Sequence, residues 1–211
     1  MRHTINTIEA TLKRLAGENK LRSRFNKAVS RIFPFIAGGA FREVYDAGDY
    51  VIKLRTAARN RQFSKEQTDE SNSDEIDNYR TICEKAEAVG FFVLAPVYLV
   101  LDNKHDAIIM PKVSTCCSDP HYMKIEKEED FCIDLESYAG RFFPKIMRDQ
   151  LSFIIEAFGD SHDGNIGWDM KKQRVWFIDI NFEFRDDYRE VSNHAKRLLR
   201  RVSRSTARKV A

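Results

Sequence analysis

Between Thr4 and Phe33, apolar residues recur every three or four positions: Ile5, Ile8, Leu12 and Leu15, then Leu21, Phe25, Val29 and Ile32/Phe33. That spacing sets them on one side of a helix. Thr4 or Asn6 suits an N-cap, Gly17 and Asn19 predict a break into two helices, and Pro34 predicts a stop. The pattern then changes. "FIAGGAFREVYDAGDYVIKLR" reads as strand, glycine turn, strand, tight turn and strand, with "DAGD" as a hairpin connection. From Thr56 to Asp74 the chain is polar, which predicts a mobile connecting loop. "SDEIDNYRTICEKAEAV" predicts a helix capped by Ser73 or Asp74, burying Ile76, Tyr79, Cys83 and Ala86 and closed by Gly90. "FFVLAPVYLVLDNKHDAIIMPKV" predicts two strands joined at "DNKH". "EDFCIDLESYAGRFFPKIMRDQLSFIIEAF" predicts helices with a boundary at Pro144, "RVWFIDINF" a short strand, and a last helix begins near Tyr188. Strands grouped early and helices late predict an α+β fold with a small sheet lobe and a helical lobe.

Composition narrows this picture without redirecting it. The 211 residues are 43% hydrophobic and 32% charged, which suits a folded chain. No run of about 18 apolar residues predicts a membrane span. The N-terminal "MRHTINTIEATLKRL" has no apolar core of a secretory signal, so the expected compartment is the cytoplasm. Cys83, Cys116, Cys117 and Cys132 fit neither a disulfide framework nor paired zinc ligands. "CCSDPH" offers Cys116, Cys117 and His121 to a metal, but no fourth ligand follows at a recognisable spacing, and reduced thiols near a turn is the plainer reading. The net charge is +3, and the segment from His194 onward alone carries seven Lys/Arg and no Asp/Glu. That basic tail is either a solubilising helix or a contact for an acidic partner. Nucleic acid is not the expected partner, because no aromatic stacking motif accompanies the tail.

Some positions carry chemistry rather than packing. Gly38 and Gly39, between two strands, let backbone N–H groups approach phosphate oxygens. Lys53 in "YVIKL" shares a strand face with Val51, opposite Ile52 and Leu54. It is either an exposed strand lysine or a buried one that needs a partner. Glu75 is a candidate partner, with Glu70 and Glu84 as rivals. In "FGDSHDGNIGWD", Asp160 and Asn165 stand in a loop after a helix, and Asp179 follows at the end of an apolar strand. Asn165 and Asp179 offer hard oxygen ligands suited to Mg²⁺, leaving Asp160 for an acceptor hydroxyl. His162 meets a phosphate or braces the loop. A calcium-loop reading fails because the twelfth position from Asp160 is Lys171 rather than glutamate.

The ordered set of glycine hairpin, "VIK", helical glutamate, "GDSHDGN" and strand-end "ID" resembles the protein-kinase-like superfamily. It is closer to small bacterial and bacteriophage kinases and to aminoglycoside and choline phosphotransferases than to eukaryotic protein kinases. The resemblance covers about residues 35 to 185 and implies a bilobal fold with an antiparallel-sheet N-lobe and a reduced helical C-lobe. The expected division is a basic helical N-terminal extension (1–34), an N-lobe with the nucleotide-binding hairpin and hinge (35–113), a minimal catalytic C-lobe (114–190) and a basic C-terminal helix or tail (191–211). It implies ATP and Mg²⁺, with Asp160 as base, His162 in place of the usual loop lysine, and Asn165 and Asp179 on the metal. By the same resemblance Lys53 contacts the α/β-phosphates and pairs with Glu75, and Met110, Pro111 and Val113 lie where adenine binds. The sequence departs from the family at Ala37 and Arg42, which replace the first and third phosphate-loop glycines, and at "Asp-Ile-Asn". The expected acceptor is a Ser/Thr hydroxyl of a protein or of the chain itself, for example Ser203 in "RRVS", because little chain follows Asp179 to enclose a small molecule. The alternatives are a pseudokinase-type binding module and a small-molecule kinase.

Overall fold

The computed structural model describes residues 3–39, 41–56, 65–128, 133–158, 162–179 and 188–210, with backbone alone for 65–70, 188 and 204–210. The chain divides into two compact units, Met1–Asp77 with Ala95–Lys112, and Asn78–Leu94 with Val113–Ala211. The architecture is α+β, with a five-stranded antiparallel sheet.

In the first unit, helices α1 (Ile5–Glu18) and α2 (Arg22–Ser30) precede strands β1 (Phe35–Gly38), β2 (Arg42–Asp46) and β3 (Tyr50–Arg55). Thr4 caps α1 through a reciprocal box with Thr7. The β2–β3 turn uses Gly48 at φ 81°, a left-handed conformation that glycine adopts without Cβ cost. Strands β4 (Val97–Val100) and β5 (Asp106–Pro111) complete the sheet in the order β1-β2-β3-β5-β4. The helical stripe does what its spacing predicts: Ile8, Leu12, Leu15, Phe25, Val29 and Phe33 are buried with Tyr45, Ile52, Leu54, Ala107 and Ile109. Helices α1 and α2 thus supply much of the apolar core on this side of the sheet. Leu21 and Ile32, expected on the same stripe, are exposed.

Helix α3 (Lys65–Lys85) corrects the sequence expectation for part of the polar stretch. Residues 65–74 are helical, not a loop, and Ser73 and Asp74 lie inside the helix rather than at its cap; residues 57–64 fall outside the described set. Lys, Glu and Gln are good helix formers. The buried positions Ser71, Asn72 and Glu75 are polar, so the helix has no apolar stripe there to reveal it.

The second unit has one core, from Ile82 near the end of α3 to Leu198 in the last helix. After a break at Ala86 come α4 (Glu87–Gly90), α5 (Pro120–Glu128), α6 (Leu135–Phe142) and α7 (Lys145–Ala157), then strands β6 (Ile166–Asp169) and β7 (Arg174–Phe177) and helix α8 (Tyr188–Val210). Buried Gln150 fixes the β6–β7 hairpin, donating to the Gln173 carbonyl at 3.2 Å and accepting from the Val175 N–H at 2.9 Å. Strand β6 also pairs outward: Ser114 and Trp168 exchange backbone bonds of 3.0 and 2.8 Å. Gly167 permits that approach, since a Cβ there would sit 2.4 Å from Val113 Cγ2.

Candidate functional site

Antiparallel register decides which side chains of the sheet share a face. Lys53 lies opposite Val44 and Ile108, and Arg42 opposite Arg55. Alternation therefore turns Arg42, Lys53, Arg55 and Asp106 away from the apolar core that holds Ile52 and Leu54. Lys53 is 7% exposed and Glu75 is fully buried. Their contacts run from Lys53 Nζ to Glu75 Oε1 at 2.9 Å and Oε2 at 3.3 Å. Of the rival glutamates, Glu84 is exposed and the side chain of Glu70 lies outside the described set. A buried ion pair of this kind is costly to desolvate and stays only with further hydrogen bonds.

Those bonds come from a residue that the sequence presents only as a departure. Arg42, 5% exposed, donates from Nη1 to Glu75 Oε2 at 2.9 Å, from Nε to Asn72 Oδ1 at 3.2 Å and from Nη2 to the Ser71 carbonyl at 2.6 Å. Asn72 Nδ2 donates in turn to Asp106 Oδ1 at 3.2 Å. Asp106 also accepts from Arg55 Nε at 2.7 Å and from the Tyr98 hydroxyl at 2.9 Å. Burial, with the Asp106 charge and hydrogen bond behind it, pushes the Tyr98 phenol up to about 12. The only sequence signal for this network is a set of charged residues on strands that are otherwise apolar.

The glycines at the β1–β2 connection behave simply. Gly39 donates its N–H to the Arg42 carbonyl at 2.8 Å, and Gly38, opposite Glu43, has Phe35 Cζ 3.2 Å from where a Cβ would stand. Met110 is buried opposite Val51, and Pro111 is exposed opposite Tyr50. Pro111 has no N–H, and the Lys112 N–H is bonded to the Asp49 carbonyl at 2.9 Å. Val113 is half-buried in the second unit.

In the second unit a 3₁₀ turn, Asp163–Asn165, leads into β6. Asp160 lies outside the described residues, so its place among these groups is not part of the geometry. His162 is exposed and its Nδ1 accepts from the Gly164 N–H at 3.1 Å, which braces the turn. Asp163 accepts from the Leu135 N–H at 3.0 Å and ties the turn to the start of α6. Asn165 is 6% exposed, and its carbonyl accepts from the Ile178 N–H at 2.8 Å. This extends the β6–β7 ladder by one rung and brings Asn165 across from the residue before Asp179, which is half-buried. The pair supplies an amide oxygen and a carboxylate, donors of the kind that Mg²⁺ takes. Among the described residues no three His, Cys, Asp or Glu side chains cluster closely enough to hold a metal by themselves.

The cysteine-histidine trio does not converge on one point. Cys116 and Cys117 stand with Sγ atoms 3.7 Å apart inside the Thr115–Ser118 turn, whereas His121 Nδ1 meets the Tyr138 hydroxyl at 2.9 Å. Burial, followed by the Cys117 contact, pushes the Cys116 thiol up to about 12. Ser203 is exposed in α8, with its hydroxyl bonded back to the Leu199 carbonyl at 3.0 Å. Among the described residues no helix is long and apolar enough to cross a membrane. No protein-family model matches the chain, and no curated protein does.

Proposed function

We propose that this chain is an ATP-dependent phosphotransferase of the protein-kinase-like type, with a small sheet lobe and a reduced helical lobe. The observation that carries the reading is the buried ion pair, at 2.9 Å, between Lys53, on a strand that follows a glycine-containing hairpin, and Glu75 of α3. Apolar burial alone does not call for a strand lysine there, whereas nucleotide phosphates call for a cation held in one place. Lys53 is assigned to the α/β-phosphates, with Glu75 fixing its ammonium group. Gly38 and Gly39 are assigned to the phosphate cover, and the strand end Met110–Pro111, continuing to Val113, to adenine. Asn165 and Asp179 would hold Mg²⁺, which would offset the negative charge of the phosphates. Asp160 orients the acceptor hydroxyl and takes its proton. His162 keeps the turn in shape from Gly164.

The proposed acceptor is a Ser/Thr hydroxyl of a protein or of the chain itself. The test is transfer of labelled γ-phosphate from ATP with Mg²⁺ by the full chain, beside Asp160→Asn. Transfer to protein by the wild type, lost in the variant, is expected. Wild-type transfer no greater than that of the variant defeats the enzyme reading. Magnesium-dependent ATP binding without transfer would leave a nucleotide-binding module.

A further inference from the structure

We propose that Arg42 is a positioning residue that locks α3 to the sheet, so that the Lys53–Glu75 pair stands assembled without an activating event. The nucleotide role of that pair rests on the function proposed above; the lock itself does not.

The geometry is a three-point attachment. Arg42 is the first residue of β2, and its guanidinium sends Nε, Nη1 and Nη2 to three acceptors on α3. Those acceptors belong to Ser71, Asn72 and Glu75, which share one helical face. Three donors in a planar fork fix a helix in rotation as well as in distance; an ammonium group would fix distance alone. The attachment is buried: Arg42, Ser71, Asn72 and Glu75 are all at most 5% exposed. Glu75 divides its oxygens, with Oε1 nearest Lys53 and Oε2 on Arg42. Its carboxylate therefore keeps its orientation even if Lys53 turns toward another anion. A second tie, Asn72 to Asp106, joins the same helical turn to β5. To carry Glu75 away from Lys53, α3 would have to break the Arg42 bonds and leave buried polar groups unpaired, an expensive state. Arg42 thus provides rigidity at the hairpin, where the departure from glycine otherwise reads as a loss.

The experiment uses an acyl-phosphate derivative of ATP, which acylates a lysine amine held beside the bound phosphates and releases ATP. Labelling of Lys53 is read by peptide mass spectrometry in wild type, Arg42→Met and Arg42→Lys, with amide hydrogen exchange over residues 71–77 measured in parallel. Arg42→Met is expected to lower the Lys53 labelling rate by about tenfold, the scale set by losing charge-assisted hydrogen bonds, and to speed exchange in α3. Arg42→Lys is expected to fall between the two, and it decides the matter if Arg42→Met does not fold. Wild-type labelling and wild-type exchange in a folded Arg42 variant would overturn the lock. If wild-type Lys53 is not labelled, the nucleotide role falls, and the exchange comparison alone decides whether Arg42 holds α3.

Discussion

On one face of the five-stranded sheet, Tyr45, Ile52, Leu54, Ala107 and Ile109 meet the apolar stripe of α1 and α2. On the other, Arg42, Lys53, Arg55 and Asp106 work with Ser71, Asn72 and Glu75 of α3. Both faces bury their side chains, but by different means. The apolar face gains from removing hydrocarbon from water, and it tolerates exchanges of similar volume. The charged face returns little net stability, because desolvating its ions offsets their attraction. What it gains is a fixed direction for each group. A sheet that needed only to fold could use apolar residues on both sides. The polar side is therefore the side to examine for function.

The comparison can be broken most decisively at Lys53. On the proposed function, Lys53→Met is expected to reduce phosphoryl transfer by roughly 10²–10³-fold, the scale of losing one preorganised electrostatic contact. The same change should cost less stability than loss of Glu75, since Glu75 keeps Arg42. Steady-state kinetics and urea unfolding of the same preparation check both halves. Next comes Glu75→Gln, which leaves two buried cations without their carboxylate and is expected to cost about 3–5 kcal/mol in urea unfolding. On the apolar face, Leu12→Ala should cost about 2–5 kcal/mol through a cavity. Its ATP KM should remain near wild type at a temperature where it is folded; a large KM change would show that the two faces are not separable.

The smallest expected effect is alkaline. The Tyr98 phenol is raised from 10.0 to about 12 in the folded chain, so folding favours its protonated form. That contribution is fully present below pH 10 and is lost as pH rises from 10 toward 12. Wild type should therefore lose more stability than Tyr98→Phe across that interval in pH-dependent unfolding. Equal losses would remove Tyr98 from the charged network's energetics.

The same contrast explains what the sequence made legible. Apolar periodicity located α1 and α2, whose inward stripe is largely hydrocarbon, and turn signals around apolar runs located the first three strands. Periodicity failed at residues 65–74, where the side chains described as buried, Ser71 and Asn72, are polar. It also passed over α5, a short helix opened by a proline, and β6, whose Gly167 and Asp169 look like loop residues until β7 pairs with them. The Lys53–Glu75 contact was open to inference because a lysine between Ile52 and Leu54 on an apolar strand needs a counter-charge. Arg42 was not, since its burial depends on Asn72, thirty positions later in the chain. The proposed base, Asp160, stands outside the described residues, so its assignment still rests on the resemblance.

Gly167 has a consequence of another kind. Its missing side chain is what lets Val113 and the backbone at Ser114 lie against β6. Adding one methyl group would place a carbon 2.4 Å from Val113 Cγ2 and 3.1 Å from Ile178 Cγ2. In a saturation library, then, position 167 should accept almost one letter of the amino-acid alphabet. Escape variants at 113 or 178 would trim the opposing methyls, and such paired substitutions would report the contact by genetics alone.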